Sequence, residues 1–452
     1  MMKNYPARLA DFGITMPEIS LPAQTVNLEK WAVIACDQYT QDKEFWRRCA
    51  ETVGSAPSTL NIIFPEVYLG DEDADSRIMA IHKTMRSYIE PEYTPRAILA
   101  PSRHAGVFIE RETESGTRRG FLMCIDLEKY DWRKGSASLI RSSEETIEER
   151  LPPRVIIRNG APLECPHILL LIDDAENMLM SLFEKLLRGA PYVYETALAN
   201  GAGSVRGRFV FRMNDWAFIA DAITFLHRQS ITRYGEDRGF IFAVGDGNHS
   251  LAAAKAVWEQ YKTEHIGDKN VMNHNARYAL VEIVNLYDNA LRFEPIHRVF
   301  YGMDIKTLRA ALMKTGIFTE ENTANSEELA RLVKDSSASG MRFGLFSNES
   351  RVLLKTSGNG VAAAVLEPIL QSVIKTAREE GRTLSIDYIH GVDELIKLIN
   401  SDSNTTGIIM PPFRKEGLFG CIAENGPLPR KSFSMGSALE KRFYLECRKL
   451  FW

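Results

Sequence analysis

The chain has 452 residues, of which 45% are hydrophobic and 25% charged, with a formal net charge of -4. That length and apolar content support two or three domains with cores of their own and exclude a disordered chain. Charges of both signs are interspersed, which argues against a bulk nucleic-acid or membrane-surface binder, and the apolar runs 168–172 and 361–366 fall far short of the roughly 20 residues that cross a bilayer.

The N-terminus, Met1 to Pro6, leads into a mixed segment without the apolar centre of a secretory signal, so a cytoplasmic location is expected. Cys36, Cys49, Cys124, Cys165, Cys421 and Cys447 are scattered, with no CxxC pair and no histidine at zinc-finger spacing. Reduced, partly buried thiols are expected, not a disulfide scaffold or a structural zinc site.

Residues 31–36, Trp-Ala-Val-Ile-Ala-Cys, read as a short buried strand with Asp37 directly after it. Phe45, Trp46, Cys49 and Val53 then recur at helical spacing, and Gly54 is placed to end that helix in a left-handed cap. Residues 107–111 and 120–127 predict an antiparallel hairpin turning at Gly116. A buried strand over 167–172 precedes Asp173-Asp174 and a helix over 175–187. Trp216, Ile219, Ile223 and Leu226 give a helix with one apolar face. A strand over 240–244 runs into a helix over 250–262, and another strand covers 278–284.

From 304 to 400 the character changes. A helix over 306–314, a polar patch over 320–327 and paired strands over 341–346 and 351–355 predict a smaller α+β module. The final segment, 401–452, contains a strand at 408–410 and a helix over 437–449, and is expected to return to a main domain spanning 1–303. With no repeat or heptad array, the class is α/β or α+β with a mixed sheet core.

The turn Gly245-Asp246-Gly247-Asn248-His249-Ser250 is the candidate site. A buried strand turning sharply into a helix leaves backbone N–H groups free at the helix start, where the dipole favours an anion such as phosphate. Asp246 is suited to hold magnesium or act as base, while Asn248 and His249 can donate to phosphate oxygens. The plainer alternative is that Asn248 caps the helix and the glycines only permit the turn.

Asp37, Asp173 and Asp246 each follow an apolar strand, where ligands collect if those strands are parallel neighbours; Asp37 and Asp246 are the candidate metal ligands. The plainer reading of Asp173 or Asp174 is that it caps the helix that follows. Arg141, Glu145, Thr146 and Arg150 offer guanidinium and hydroxyl groups to an anion, and a solvated ion-paired face would look the same. His297 with Arg298, and His390, stand at strand ends as candidate acid–base or phosphate-binding groups; Lys431 and Ser432 lie in a basic loop.

In the order in which these segments occur, the chain resembles the bacterial and archaeal family called domain of unknown function 1015. The likeness rests on 31–40, 141–150, Asp246 to His249, 295–298, 388–391 and 429–432. The turn is also similar to the Asp-Gly-x-His-Arg turn of ParB and sulfiredoxin-like proteins, some of which phosphorylate free serine. That resemblance implies ATP or ADP phosphates held at the turn, but Ser250 stands where those proteins carry a phosphate-binding arginine, leaving Arg298, Lys431 or Arg141 to supply the cation.

The expectation is therefore a magnesium- and nucleotide-dependent phosphotransferase acting on a small hydroxylated metabolite, with Asp246, His249 and His297 as its catalytic groups. A metal-dependent phosphohydrolase and a non-enzymatic nucleotide-binding regulator are the alternatives. A small molecule and a nucleotide are the expected ligands, and a homo-oligomer is compatible with the sequence.

Overall fold

The computed structural model describes residues 5–90, 97–335, 340–357, 361–401 and 405–452; the first four residues of the N-terminal segment read above lie outside them. The chain forms two compact units. Residues 1–292 and 436–452 make the first, and 293–435 the second. The class is mixed α/β, and among the described residues no helix is long and apolar enough to cross a membrane.

The first unit is built on a ten-stranded mixed sheet. At its centre the hairpin Gly106–Thr113 and Gly116–Asp126 pairs antiparallel, with Gly116 at φ 120 as the turn requires. Tyr278–Asn285 runs antiparallel to Gly116–Asp126 and parallel to Leu169–Ile172. Leu169–Ile172 is followed by Phe242–Asp246, Ile140–Ser142 and Tyr130–Asp131. These central strands are near-continuous apolar runs because both their faces are buried, as Leu169 to Ile172 and Phe242 to Val244 show.

Three sequence expectations are corrected here. Trp31 belongs not to a strand but to the helix Leu28–Trp31, whose Lys30 N–H is capped by the Asn27 side chain; the strand is Val33–Ile34 alone. Asp173 and Asp246 are not at adjacent strand ends, since Leu169–Ile172 and Phe242–Asp246 are antiparallel. The chain reverses its sense at the antiparallel hairpin Tyr194–Ala197 and Ser204–Val210, and the long helix Met213–Tyr234, roughly 33 Å at 1.5 Å per residue, then returns it to the sheet. Asp173 instead accepts from Arg233 and from the hydroxyls of Tyr234 and Tyr287, and Asp174 caps the helix Met178–Leu186 through Leu179 N–H.

The third correction concerns the tail. Residues 437–449 are not a helix beyond the single turn Ala438–Glu440. Phe443–Tyr444 pairs with Val33–Ile34, and Arg448–Lys449 pairs with Leu163–Glu164. Those strand partners satisfy the backbone groups that a helix would have satisfied internally.

The second unit holds a six-stranded sheet in which Ile296–Tyr301 lies between Ser385–His390 and Thr405–Ile409. The helices Ser326–Lys334 and Val392–Ser401 cover it through Leu329, Val333, Leu395 and Ile399. The chain enters this unit at Phe293, before residue 304, and leaves it at Met435, after residue 400, because the strand Ile296–Tyr301 finds its partners there.

Gly247 sits at φ +81, and a Cβ there would lie 3.0 Å from Ile168 Cγ1 and 3.2 Å from Ile168 Cα. Gly235 is also left-handed, at φ +91, but has nothing within 4 Å. Gly247→Ala is expected to lose at least about 1 kcal/mol more than Gly235→Ala in urea unfolding, because it adds a backbone clash to the same φ strain. Equal losses would show that Ile168 yields freely.

Candidate functional site

Ile140–Ser142 and Phe242–Asp246 run parallel, with Ile140 opposite Phe242 and Ser142 opposite Val244. Their carboxyl ends therefore finish side by side, which sets the loop 143–147 against the turn 245–250. This is the end of an α/β sheet where ligands bind. Gly247 is the N-cap of the helix Asn248–Glu264 and makes no side-chain cap bond, so first-turn N–H groups face the loop without intrahelical partners.

The capping role considered for Asn248 is not what it does. Asn248 is the first helical residue, and its Oδ1 is buried with no hydrogen-bond partner. Ser143 Oγ and Thr146 Oγ1, from the neighbouring loop, are also buried without partners. Buried polar atoms in this state cost about 1–3 kcal/mol each unless water or a ligand satisfies them. His249 Nε2 accepts the Ile147 N–H at 3.2 Å, tying loop to turn, so its neutral ring carries the proton on Nδ1.

A cation stands at the turn, though not one expected from the sequence. Lys441 Nζ lies 3.0 Å from Asp246 Oδ2, and the other carboxylate oxygen accepts the Gly247 N–H at 3.1 Å. Ser250 Oγ is 2.9 Å from His167 Nε2, and His167 Nδ1 is 2.9 Å from the Tyr444 hydroxyl, which also accepts the Cys36 N–H. Asp37 belongs to the same neighbourhood. Burial would raise its pKa, but the charges of His167 and Lys441 and a hydrogen bond from Gln38 hold it below the usual carboxylate range.

Glu66 behaves oppositely. Burial pushes its carboxyl up against the pull of its partner Arg154, and the nearby Asp37 charge adds to the rise. Burial also pushes up the Cys36 thiol and the Tyr444 phenol, so both stay protonated. The two carboxyls of this neighbourhood are thus pushed in opposite directions.

Arg141 and Arg150 stand apart from this group. The Arg141 guanidinium stacks over Phe240 at 4.7 Å and donates to Ser138 O, towards the start of the strands instead of the turn. Arg150 is exposed, and its carbonyl accepts from Arg154. No group of three or more histidine, cysteine, aspartate or glutamate side chains able to hold a metal occurs among the described residues.

The remaining candidates lie together in the second unit. His297 and Arg298 are buried on Ile296–Tyr301, opposite Ile389 and Tyr388. His297 Nδ1 accepts the Met410 N–H at 3.1 Å. Arg298 pairs with Glu367 at 3.4 Å, lies over the Tyr388 ring and donates to Lys431 O. Ser432 Oγ donates to Pro429 O, while Lys431 and His390 are exposed, Lys431 with φ 60. Of these residues, Arg298 and Lys431 are joined directly, through the Lys431 carbonyl.

The family profile described as "Protein of unknown function (DUF1015)" matches residues 18–375, and the chain belongs to that family. Among solved structures, the chain is similar to a free serine kinase variant in complex with AMP, at 13% identity and a TM-score of 0.39, covering 73% of this chain and 92% of that one. A conserved hypothetical protein from Pyrococcus furiosus aligns at 10% identity and a TM-score of 0.36, over 71% and 93% of the two chains. SbnI from Staphylococcus aureus aligns at 8% and 0.34, over 70% and 83%. A comparison with curated proteins finds no match.

His297 is pushed down to about 4 by burial, reinforced by the charges of Arg298 and His390. Its folded pKa lies below the ordinary value of 6.5, so the unfolded chain binds the extra proton. Its contribution is full above pH 6.5 and is lost as pH falls towards 4. Wild type is expected to lose about 2 kcal/mol more than His297→Asn between pH 7 and 4.5 in urea unfolding; identical pH dependence would mean that His297 is not held neutral.

Proposed function

We propose that the protein is a phosphotransferase that holds nucleotide phosphates at the Gly245 to Ser250 turn and passes a phosphoryl group to a small hydroxylated metabolite. The observation that carries this reading is the junction of two parallel strand ends with a helix start, where Ser143, Thr146 and Asn248 keep buried polar atoms without partners and Lys441 supplies a cation. Phosphoryl transfer is catalysed chiefly by positioning and charge neutralisation, and this junction offers both.

In this reading the first-turn N–H groups, His249 Nδ1–H and Lys441 take the phosphate oxygens. Lys441 supplies the cation for which the sequence had offered Arg298, Lys431 or Arg141. Asp246, released from Lys441 as that amine turns to phosphate, is the protein's carboxylate for magnesium, which would neutralise charge on the transferred group. Asp37, held ionised, accepts the proton of the acceptor hydroxyl as its oxygen bonds to phosphorus and the nucleoside diphosphate leaves. Glu66, next to it, is the group that can carry a proton onwards.

Thermal unfolding with ATP or ADP, with and without magnesium, tests this reading. A ligand that binds only the native state raises the midpoint by mass action, by roughly 2–4 °C at saturating concentration. The rise is expected in wild type, to be larger with magnesium, and to disappear in Asp246→Ala and Lys441→Ala. No rise with any nucleotide, or a rise that survives both substitutions, would remove the nucleotide from this turn.

A further inference from the structure

We propose that Cys165 and Cys447 are a redox-active thiol pair that a low-molecular-weight disulfide oxidises to an intramolecular disulfide, closing the tail onto the body of the first unit. Their sulfur atoms lie 3.4 Å apart although the residues are 282 positions apart in sequence. This modification site is independent of the phosphate reading.

Strand register brings the two together. Arg448 lies opposite Glu164 and Lys449 opposite Leu163 in an antiparallel pair, so one step along the ladder places Cys447 opposite Cys165. The Cys447 N–H and C=O are both bonded to Ser20, on its other side. It therefore faces Cys165 as a non-hydrogen-bonded cross-strand pair, the type in which the Cα atoms approach to about 4.5 Å and the side chains are closest. That spacing is within the range of about 4.4–6.8 Å that a disulfide spans without backbone movement.

Their surroundings divide the roles. Cys165 is half-buried and Cys447 fully buried, its thiol pKa pushed well up by the hydrogen bond with Cys165 and by burial. The Cys165 thiolate attacks one sulfur of glutathione disulfide, forming a mixed disulfide and releasing one glutathione thiol. Cys447 then gives up its proton and attacks the Cys165 sulfur, releasing the second thiol. Two protein thiols are oxidised and one external disulfide is reduced to two thiols, and excess thiol reverses both steps.

The bond would act on the candidate site through very short connections. Cys165 is two residues before His167, and Cys447 is three after Tyr444, the two groups joined by the 2.9 Å bond between ring nitrogen and hydroxyl. Closing the pair ties the segment that carries Lys441 and Tyr444 covalently to the strand that leads into His167. The loop it closes is long, so the oxidised form is expected to be more resistant to unfolding.

The test is to expose the full chain to glutathione disulfide, alkylate remaining thiols with iodoacetamide, digest and identify the peptides by mass spectrometry, alongside thermal unfolding. The expected product joins the Cys165 and Cys447 peptides, two hydrogens lighter than the pair, with a raised unfolding midpoint that dithiothreitol restores. Cys165→Ser and Cys447→Ala are each expected to lose both the linked product and the midpoint shift. Alkylation of both cysteines after oxidation, glutathione retained on Cys165 with Cys447 alkylated, or a shift that persists in either variant would overturn the proposal. Should Cys447→Ala fold poorly, the wild-type peptide masses and Cys165→Ser still decide it.

Discussion

The burial of Arg442 is the constraint on which the first unit depends. Its guanidinium is held by Glu282 at 2.8 Å and Glu446 at 2.8 Å and donates to Pro166 O, and all three ionic groups are nearly inaccessible to water. The carboxylates outweigh the cost of burial, so the arginine stays charged. Such a group is expensive to bury and still more expensive to leave half made, at about 3–5 kcal/mol when one partner of a buried pair is removed. Gly120 leaves the room the arrangement needs, since a Cβ there would collide with the Glu282 side chain.

Around that anchor the last segment of the chain is sewn into the unit. Arg111 and Arg118 donate to the carbonyls of Leu439 and Glu440, Arg448 pairs with Glu164, and Trp31 donates to Leu445 O. Burial pushes Arg111 down to about 10, which leaves it protonated near neutrality. The residues next to Arg442 are thereby placed where chemistry is possible: Lys441 against Asp246, and Tyr444 against His167. The turn Gly245 to Ser250 supplies N–H groups and an acid, and the tail supplies its cation. In the proposed reading, a phosphate site made this way exists only when the end of the chain has come home.

What was readable in the sequence was what local chemistry dictates. Phe45, Trp46 and Val53 bury one face of a helix that Asp42 caps and Gly54 ends, and the strand-turn-helix around Asp246 follows from apolar residues meeting paired glycines. What was not readable depends on partners far away in sequence. The tail reads as helix because its apolar residues recur at three and four, yet Val33, Ile34 and Glu164 take its backbone bonds. His167, Tyr444, Lys441 and Glu66 carry no local signal, because His167 and Tyr444 are 277 positions apart. Asp173 looked like Asp246 only because strand direction cannot be read from composition. Charged residues packed into an otherwise apolar tail, Lys441, Arg442, Glu446 and Arg448, were the one available hint, since such residues are rarely buried unless paired.

The central claim is that the returning tail completes a phosphate site at the turn, and calorimetric titration of ADP with magnesium into wild type and Lys441→Gln tests it most directly. Loss of one buried cation facing a phosphate is predicted to weaken binding at least tenfold, or about 1.4 kcal/mol, in a variant that remains folded. Unchanged affinity in a folded Lys441→Gln protein would contradict the account.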